Sequence, residues 1–210
     1  LREQHRIRLD GLEADVVVAD DPVYLFIAPG DTVYVVLFVQ LVDGEVRVVD
    51  EIYVHHWTHA QVVQEAQAKA VWKRVGVSGH VMDVAGKQRH GGLGSPLDAW
   101  FRDTGLGFSS QPLHVDETIE RVRVVLGINP RTGTPRLKVS PRCKGLISEM
   151  GGGPSPVPDG GIWRSKGGVP EHRNDHACKA LGYGLAWHLG ALHPSGRLTA
   201  ESVMGWKSGR

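Results

Sequence analysis

The chain has 210 residues, with 24 Lys and Arg against 23 Asp and Glu and 41% hydrophobic residues, a size that suits one domain with a sizeable core. A net charge of +1 excludes a global field drawing the chain to nucleic acid or a membrane, so any such surface has to be local. Cys143 and Cys178 stand far apart with no C-x-x-C spacing, which points to a reduced, intracellular protein without a cysteine metal site. No run of roughly 18 apolar residues exists for a membrane span, and no charged-then-apolar leader pattern opens the sequence.

"VYLFIAP" (23–29) reads as a buried strand broken by Pro29-Gly30, and "TVYVVLFVQLV" (32–42) as a second strand. The Asp43-Gly44 turn leads into a third, "EVRVVDEIYV" (45–54), so an antiparallel meander is predicted. The first two strands are apolar on both faces and belong inside a covered sheet. "THAQVVQEAQAKAVWKRVG" (58–76) is a helix, with a Thr58/Gln61 capping-box pattern, Val62, Ala66 and Ala70 at helical spacing and Gly76 as its stop. "GHVMDVAG" (79–86) is a short strand ending at an acid. A glycine-rich mobile loop is expected over 86–96, then helices over 96–105 and 117–127, a strand over 135–141 and a helix starting within 141–150. Residues 151–170 carry a Gly/Pro/Ser-rich flexible loop. A last helix runs from about Asn174 to Leu189, and the tail from 194 to 210 is expected to fray.

Three antiparallel strands, a helix, a strand ending in an acid, further α/β units and a C-terminal helix opening on an acid resemble the ribonuclease H-like layout. The implied architecture is a mixed central sheet flanked by helices, a single domain over 1–210 with its core at about 23–190. First and fourth strands then lie side by side and parallel, so their C-terminal ends share one edge, where sites of open α/β sheets collect. Asp83, in "VMDVAG", ends the fourth strand, and Asp175 starts the last helix above the same edge. Clustered carboxylates repel unless cations neutralise them, and all-oxygen ligands suit Mg²⁺ or Mn²⁺. Two such ions activate a water and stabilise the leaving oxygen of a phosphodiester. The plainer alternatives are a strand-end Asp83 bonding the next turn and a helix start capped by Asn174 with Asp175 against the dipole.

More specifically, the chain resembles the C-terminal nuclease domain of the large terminase subunit of tailed bacteriophages. The matching pieces are "YLFIAPGDT", "VVDEIY", "HVMDVAG", "PRLKVSPRCKGLISEM" ending in a Glu, and "NDHACKALGY", in that order over 23–189. The resemblance implies an endodeoxyribonuclease that cuts concatemeric DNA during packaging in the host cytoplasm. Its cofactors would be two divalent ions. Its partners would be double-stranded DNA, an ATPase domain, a small terminase subunit and the capsid portal, with no membrane. Where the family motif reads Asp-Pro-Gly, this chain reads Ala28-Pro29-Gly30, so the first catalytic acid is missing. Either Ala28 inactivates the site or Asp31, just past the turn, substitutes. Many relatives also carry an acid where Lys179 stands, one helical turn after Asp175. Lys179 is read as a substitute for ion charge, as a phosphate contact, or as a simple partner of Asp175.

Glu51, ending the third strand at the same edge, is a further candidate ligand, and His176 a neighbouring donor or general acid. His55, His56 and His59 lack the spacing of a zinc helix and read as surface residues. Phosphate contacts need clustered bases. Arg136, Lys138, Arg142 and Lys144 form one run, Arg164, Lys166 and Arg173 precede the last helix, and Lys87 and Arg89 follow Asp83. All are expected to border the acids. No G-x-x-x-x-G-K-[ST] pattern occurs. With the start at Leu1, that fits an excised nuclease domain. Another ribonuclease H-like nuclease, such as a Holliday-junction resolvase or transposase core, and a non-catalytic DNA- or portal-binding domain are the competing readings.

Overall fold

Strand β1 (Val23–Ala28) sits in the middle of the structure because both of its faces are apolar. A computed structural model describes residues 21–88, 94–151, 165–166, 169–170 and 175–189. β1 pairs antiparallel with β2 (Val33–Val42), which pairs antiparallel with β3 (Glu45–His55). The Asp43-Gly44 turn between them holds both residues at positive φ, 50° and 79°, the conformation that matches the twist of a two-residue hairpin. On its other side β1 pairs in parallel with β4 (Val77–Met82), and β5 (Leu137–Val139) lies parallel against the outer edge of β3. The sheet order is therefore β4-β1-β2-β3-β5. A parallel bridge from Val81 to Ser109 extends the β4 side. This is the mixed, helix-flanked sheet of the ribonuclease H-like fold.

Period-two alternation assigns the two cores. Phe26, Ala28, Val35, Leu37 and Val39 face a layer made by α4 (Val115–Leu126), α5 (Lys144–Glu149) and α6 (His176–Leu189). Leu25, Ile27, Val36 and Phe38 face α1 (His59–Ala68), α2 (Ala70–Arg74) and α3 (Pro96–Thr104). Within the second core the Trp100 indole N–H donates to the Tyr34 hydroxyl at 2.9 Å, so two large aromatics are buried with their polar atoms bonded.

Several elements depart from the sequence reading. The single helix expected over 58–76 breaks at Lys69, whose backbone turns extended (ψ 138°) while its ammonium donates to Asp50 Oδ1 at 3.1 Å and to the Glu51 carbonyl at 3.0 Å. The ion pair holds Lys69 out of the helix. The Thr58/Gln61 capping box forms as expected. β3 continues past Glu51 to His55, so Glu51 does not end the strand. The start of the expected 86–96 loop is a 3₁₀ turn, Val84–Lys87, and residues 89–93 lie outside the described residues, as do 152–164 and the 194–210 tail. β5 flanks β3, on the far side of the sheet from β4.

Helix α6 approaches the sheet closely because it carries glycines at its contact face. A Cβ at Gly184 would come within 2.1 Å of the Phe26 ring, and one at Gly182 within 2.7 Å of Thr118 on α4. Replacing Gly184 by Ala therefore forces α6 off β1. The expected cost is about 1–3 kcal/mol, as for other overpacked cores, a fall of roughly 2–12 °C in Tm for a chain of this size. An unchanged melting curve would show that α6 is not seated on Phe26.

Candidate active site

Parallel pairing carries β1 and β4 out of the sheet at one edge. The Asp83 N–H donates to the Ile27 carbonyl at 2.8 Å, so Asp83 leaves β4 beside position 28, the last residue of β1. Asp83 is buried, and its Oδ1 accepts from the Ala85 N–H at 3.1 Å, capping the 3₁₀ turn. The strand-end bonding weighed as the plainer role thus exists, and it occupies one oxygen. Across the gap, Asp175 immediately precedes α6 and is also buried, with its carbonyl accepting the Lys179 N–H at 2.7 Å. Lys179, one turn later, reaches over the edge to Asp83 Oδ2 at 3.7 Å. The lysine therefore joins α6 to β4 through the opposite acid. His176 lies in the field of both acids, of Lys179 and of His55, and burial lowers its pKa in spite of the Asp175 charge.

The remaining candidates separate by position. Ala28 is buried, on the α6 face at the edge. Asp31 is exposed beyond the Pro29-Gly30 corner. Glu51 lies inside the sheet, opposite Leu37, while Ala28 is level with Val35. Its carboxylate accepts from Gly145 N–H at 2.5 Å and Leu146 N–H at 3.0 Å, the first turn of α5. Burial pushes its pKa up to about 7 against the pull of those donors. It is a helix cap set back from the edge. His55 and His56 are exposed, and His59 is half-buried, edge-on to Tyr34 at 5.5 Å.

One acid has a place that sequence reasoning did not foresee. Glu149, the last residue of α5, is 1% exposed. Its Oε2 accepts from the Ala177 and Cys178 N–H groups at 2.8 and 2.9 Å, and its Oε1 from the Tyr53 hydroxyl at 2.9 Å. Burial again raises the pKa, to about 7. The Glu before the final Met of "PRCKGLISEM" was its visible signal, without indication of its target.

Of the basic candidates, Lys87 is exposed just after Asp83. Arg142 and Lys144 are exposed at the start of α5. Arg136 immediately precedes β5, and Lys138 within it pairs with Arg47. Arg47 is eight positions along β3 from His55, about 25 Å at the usual rise per residue. The run is therefore not brought together at the acid edge. Arg89, Arg164 and Arg173 lie outside the described residues, and Lys166 belongs to a two-residue strand, β6 (Ser165–Lys166), paired with β7 (Val169–Pro170).

Among the described residues no three His, Cys, Asp or Glu side chains are gathered as a metal group. Asp83 and Asp175 offer carboxylate oxygens of the kind a single hard divalent ion takes, and the methyl of Ala28 adds none.

No protein-family model and no curated protein sequence matches the chain. Solved structures do. The large terminase of a thermophilic bacteriophage superposes with a TM-score of 0.61 at 15% identity over 88% of this chain and 42% of that one. The same protein in complex with ATP-gamma-S gives 0.59 at 15% identity, over 84% and 42%. The nuclease domain of the bacteriophage SPP1 large terminase, g2p, solved with bound Mn, gives 0.56 at 13% identity over 84% of this chain and 92% of that domain. The chain thus spans about two fifths of the thermophilic phage protein and nearly the whole of the SPP1 domain. Its fold is the ribonuclease H-like fold of a large-terminase nuclease domain.

Proposed function

We propose that the chain is the nuclease part of a viral DNA-packaging terminase, a metal-dependent endonuclease on double-stranded DNA, impaired as written by Ala28. The observation that carries this reading is the Asp83 N–H bond to the Ile27 carbonyl at 2.8 Å. It seats a buried acid beside position 28, with Asp175 and Lys179 of α6 facing the same edge. The bound Mn of the SPP1 domain supports a divalent ion as cofactor. When bound, two such ions supply an activated water and charge stabilisation at the leaving oxygen.

The residues divide the work by their surroundings. Asp83, oriented by Ala85, and Asp175, fixed at the helix start, would hold a cation. In its absence Lys179 balances Asp83, and with DNA present the same ammonium turns to a phosphate oxygen. His176, half-buried beside Asp175, is placed to accept a proton at this edge. A carboxylate at position 28 would add an oxygen ligand beside Asp83, and the methyl of Ala28 offers none. Lys87, Arg142 and Lys144 contact the DNA backbone, which reads no sequence. The ATPase domain, small terminase subunit, portal and host cytoplasm follow as the setting of such a protein. A resolvase-like nuclease would instead need a dimer and branched DNA.

Ala28→Asp is expected to raise Mn²⁺-dependent nicking of supercoiled plasmid by at least on the order of 10-fold, since even an indirect metal partner is worth that much. The gain should disappear with chelator and in an Asp83→Ala background. The new buried acid would also repel its neighbours until a cation arrives, so the Tm of Ala28→Asp should rise with Mn²⁺ concentration more than that of the parent. A parent that already cuts as fast as Ala28→Asp would transfer the missing role to Asp31 or another acid.

DNA affinity should fall steeply with salt. Arg142→Ala with Lys144→Ala should flatten the log–log salt slope by about one unit for each lost contact. An unaltered slope would remove these two residues from the DNA path.

A further inference from the structure

An aspartate placed just before a helix ordinarily turns its own carboxylate back onto the second and third N–H groups of the first turn. In α6 those donors belong to Ala177 and Cys178, and both are taken by Glu149, 28 and 29 residues earlier in the chain. The cap that Asp175 could supply is supplied from another element. Glu149 is itself held: the Tyr53 hydroxyl donates to its other oxygen, and α5, which carries it, is capped at its first turn by Glu51. Tyr53 and Glu51 lie two residues apart on β3. Tyr53 also packs where any Cβ on Gly145 would stand, 2.1 Å from its ring. A rigid strand thus holds α5 at its start and end, and the end of α5 holds the start of α6.

We propose that Glu149, steadied by Tyr53, is a positioning residue for Asp175. It fixes the first turn of α6, and so sets where the aspartate and His176 stand at the sheet edge. The inference rests on the metal-site reading above, and it assigns Glu149 no contact with cation or substrate. A carboxylate shared by two N–H groups at a helix N-terminus is favoured by the helix dipole as well as by the bonds. Gln at 149 keeps the volume but loses the charge and turns an N–H₂ group toward one set of donors.

Cys178 reports on the first turn, because its thiol is fully buried two residues into the helix, while Cys143, equally buried, precedes α5 and serves as an internal reference. After burial, the Glu149 carboxylate also raises the Cys178 pKa, so Tyr53→Phe, which keeps that charge, separates opening of the turn from a change in thiol acidity. In folded Glu149→Gln, alkylation of Cys178 by iodoacetamide, followed by peptide mass spectrometry, should accelerate roughly 5- to 10-fold relative to Cys143, the range expected when a first turn loses its cap. Mn²⁺ affinity, read by electron paramagnetic resonance titration in the Ala28→Asp background, should fall on the order of 10-fold. Tyr53→Phe should move both readouts the same way by less, and it carries the test should Glu149→Gln fail to fold. Cys178 remaining as protected as Cys143, or becoming reactive with Mn²⁺ affinity unchanged, would overturn the positioning role. Absence of Mn²⁺ binding in Ala28→Asp itself would sink the metal site, and the positioning role with it. Binding that is insensitive to Glu149 would sink the positioning role alone.

Discussion

The candidate site depends on the parallel pairing of β1 with β4. A meander alone would alternate strand ends between the two edges of the sheet. The crossover through α1 and α2 instead returns the chain so that Ala28 and Asp83 emerge at the same edge, tied by the bond from Asp83 N–H to the Ile27 carbonyl. Backbone hydrogen bonding thus sets the spacing of the two positions, and side chains set only what each offers. Helix α6 completes the edge because Gly184 lets it descend onto Phe26, which brings Lys179 within 3.7 Å of Asp83.

Glu51, Glu149, Asp83 and Asp175 are all buried acids, and their surroundings give them different work. Glu51 and Glu149 each face two backbone N–H groups at a helix start. Burying a carboxylate is costly unless it is paired or bonded, and these donors meet that condition without a cation. Each acid in return satisfies groups that a helix end leaves open. Asp83 and Asp175 sit at the rim, where a lysine and an imidazole are neighbouring polar side chains. The two glutamates build the framework, and the two aspartates stand at the edge.

Among the described residues, the basic side chains do not form one patch around the acids. Lys87 stays near Asp83, whereas Lys138 pairs with Arg47 toward the opposite end of β3. β3 is two strands removed from β1 in the sheet, roughly 10 Å at the usual strand spacing.

Much of the architecture was legible because it is local. Apolar runs, the Pro29-Gly30 corner, the Asp43-Gly44 turn and the Thr58/Gln61 cap each act within a few residues, and each appears in the structure. The order of those elements was enough to place Asp83 at a strand end and Asp175 at a helix start. Contacts distant in sequence were not legible. Lys69 breaks a helix of good periodicity because Asp50 and the Glu51 carbonyl, 19 and 18 residues away, compete for its ammonium. Glu51 read as a ligand at a strand end, until the continuation of β3 to His55 and the first turn of α5 showed it to be a cap. Lys179 read as a substitute for ion charge, a phosphate contact or a partner of Asp175, and the structure adds a contact the spacing did not signal, to Asp83, 96 residues back in the chain. Residue type and spacing determined which groups were available for the site. Which carboxylates cap another element's helix, and which stand at the sheet edge, depends on how the helices pack on the sheet, and that was settled only by the tertiary structure.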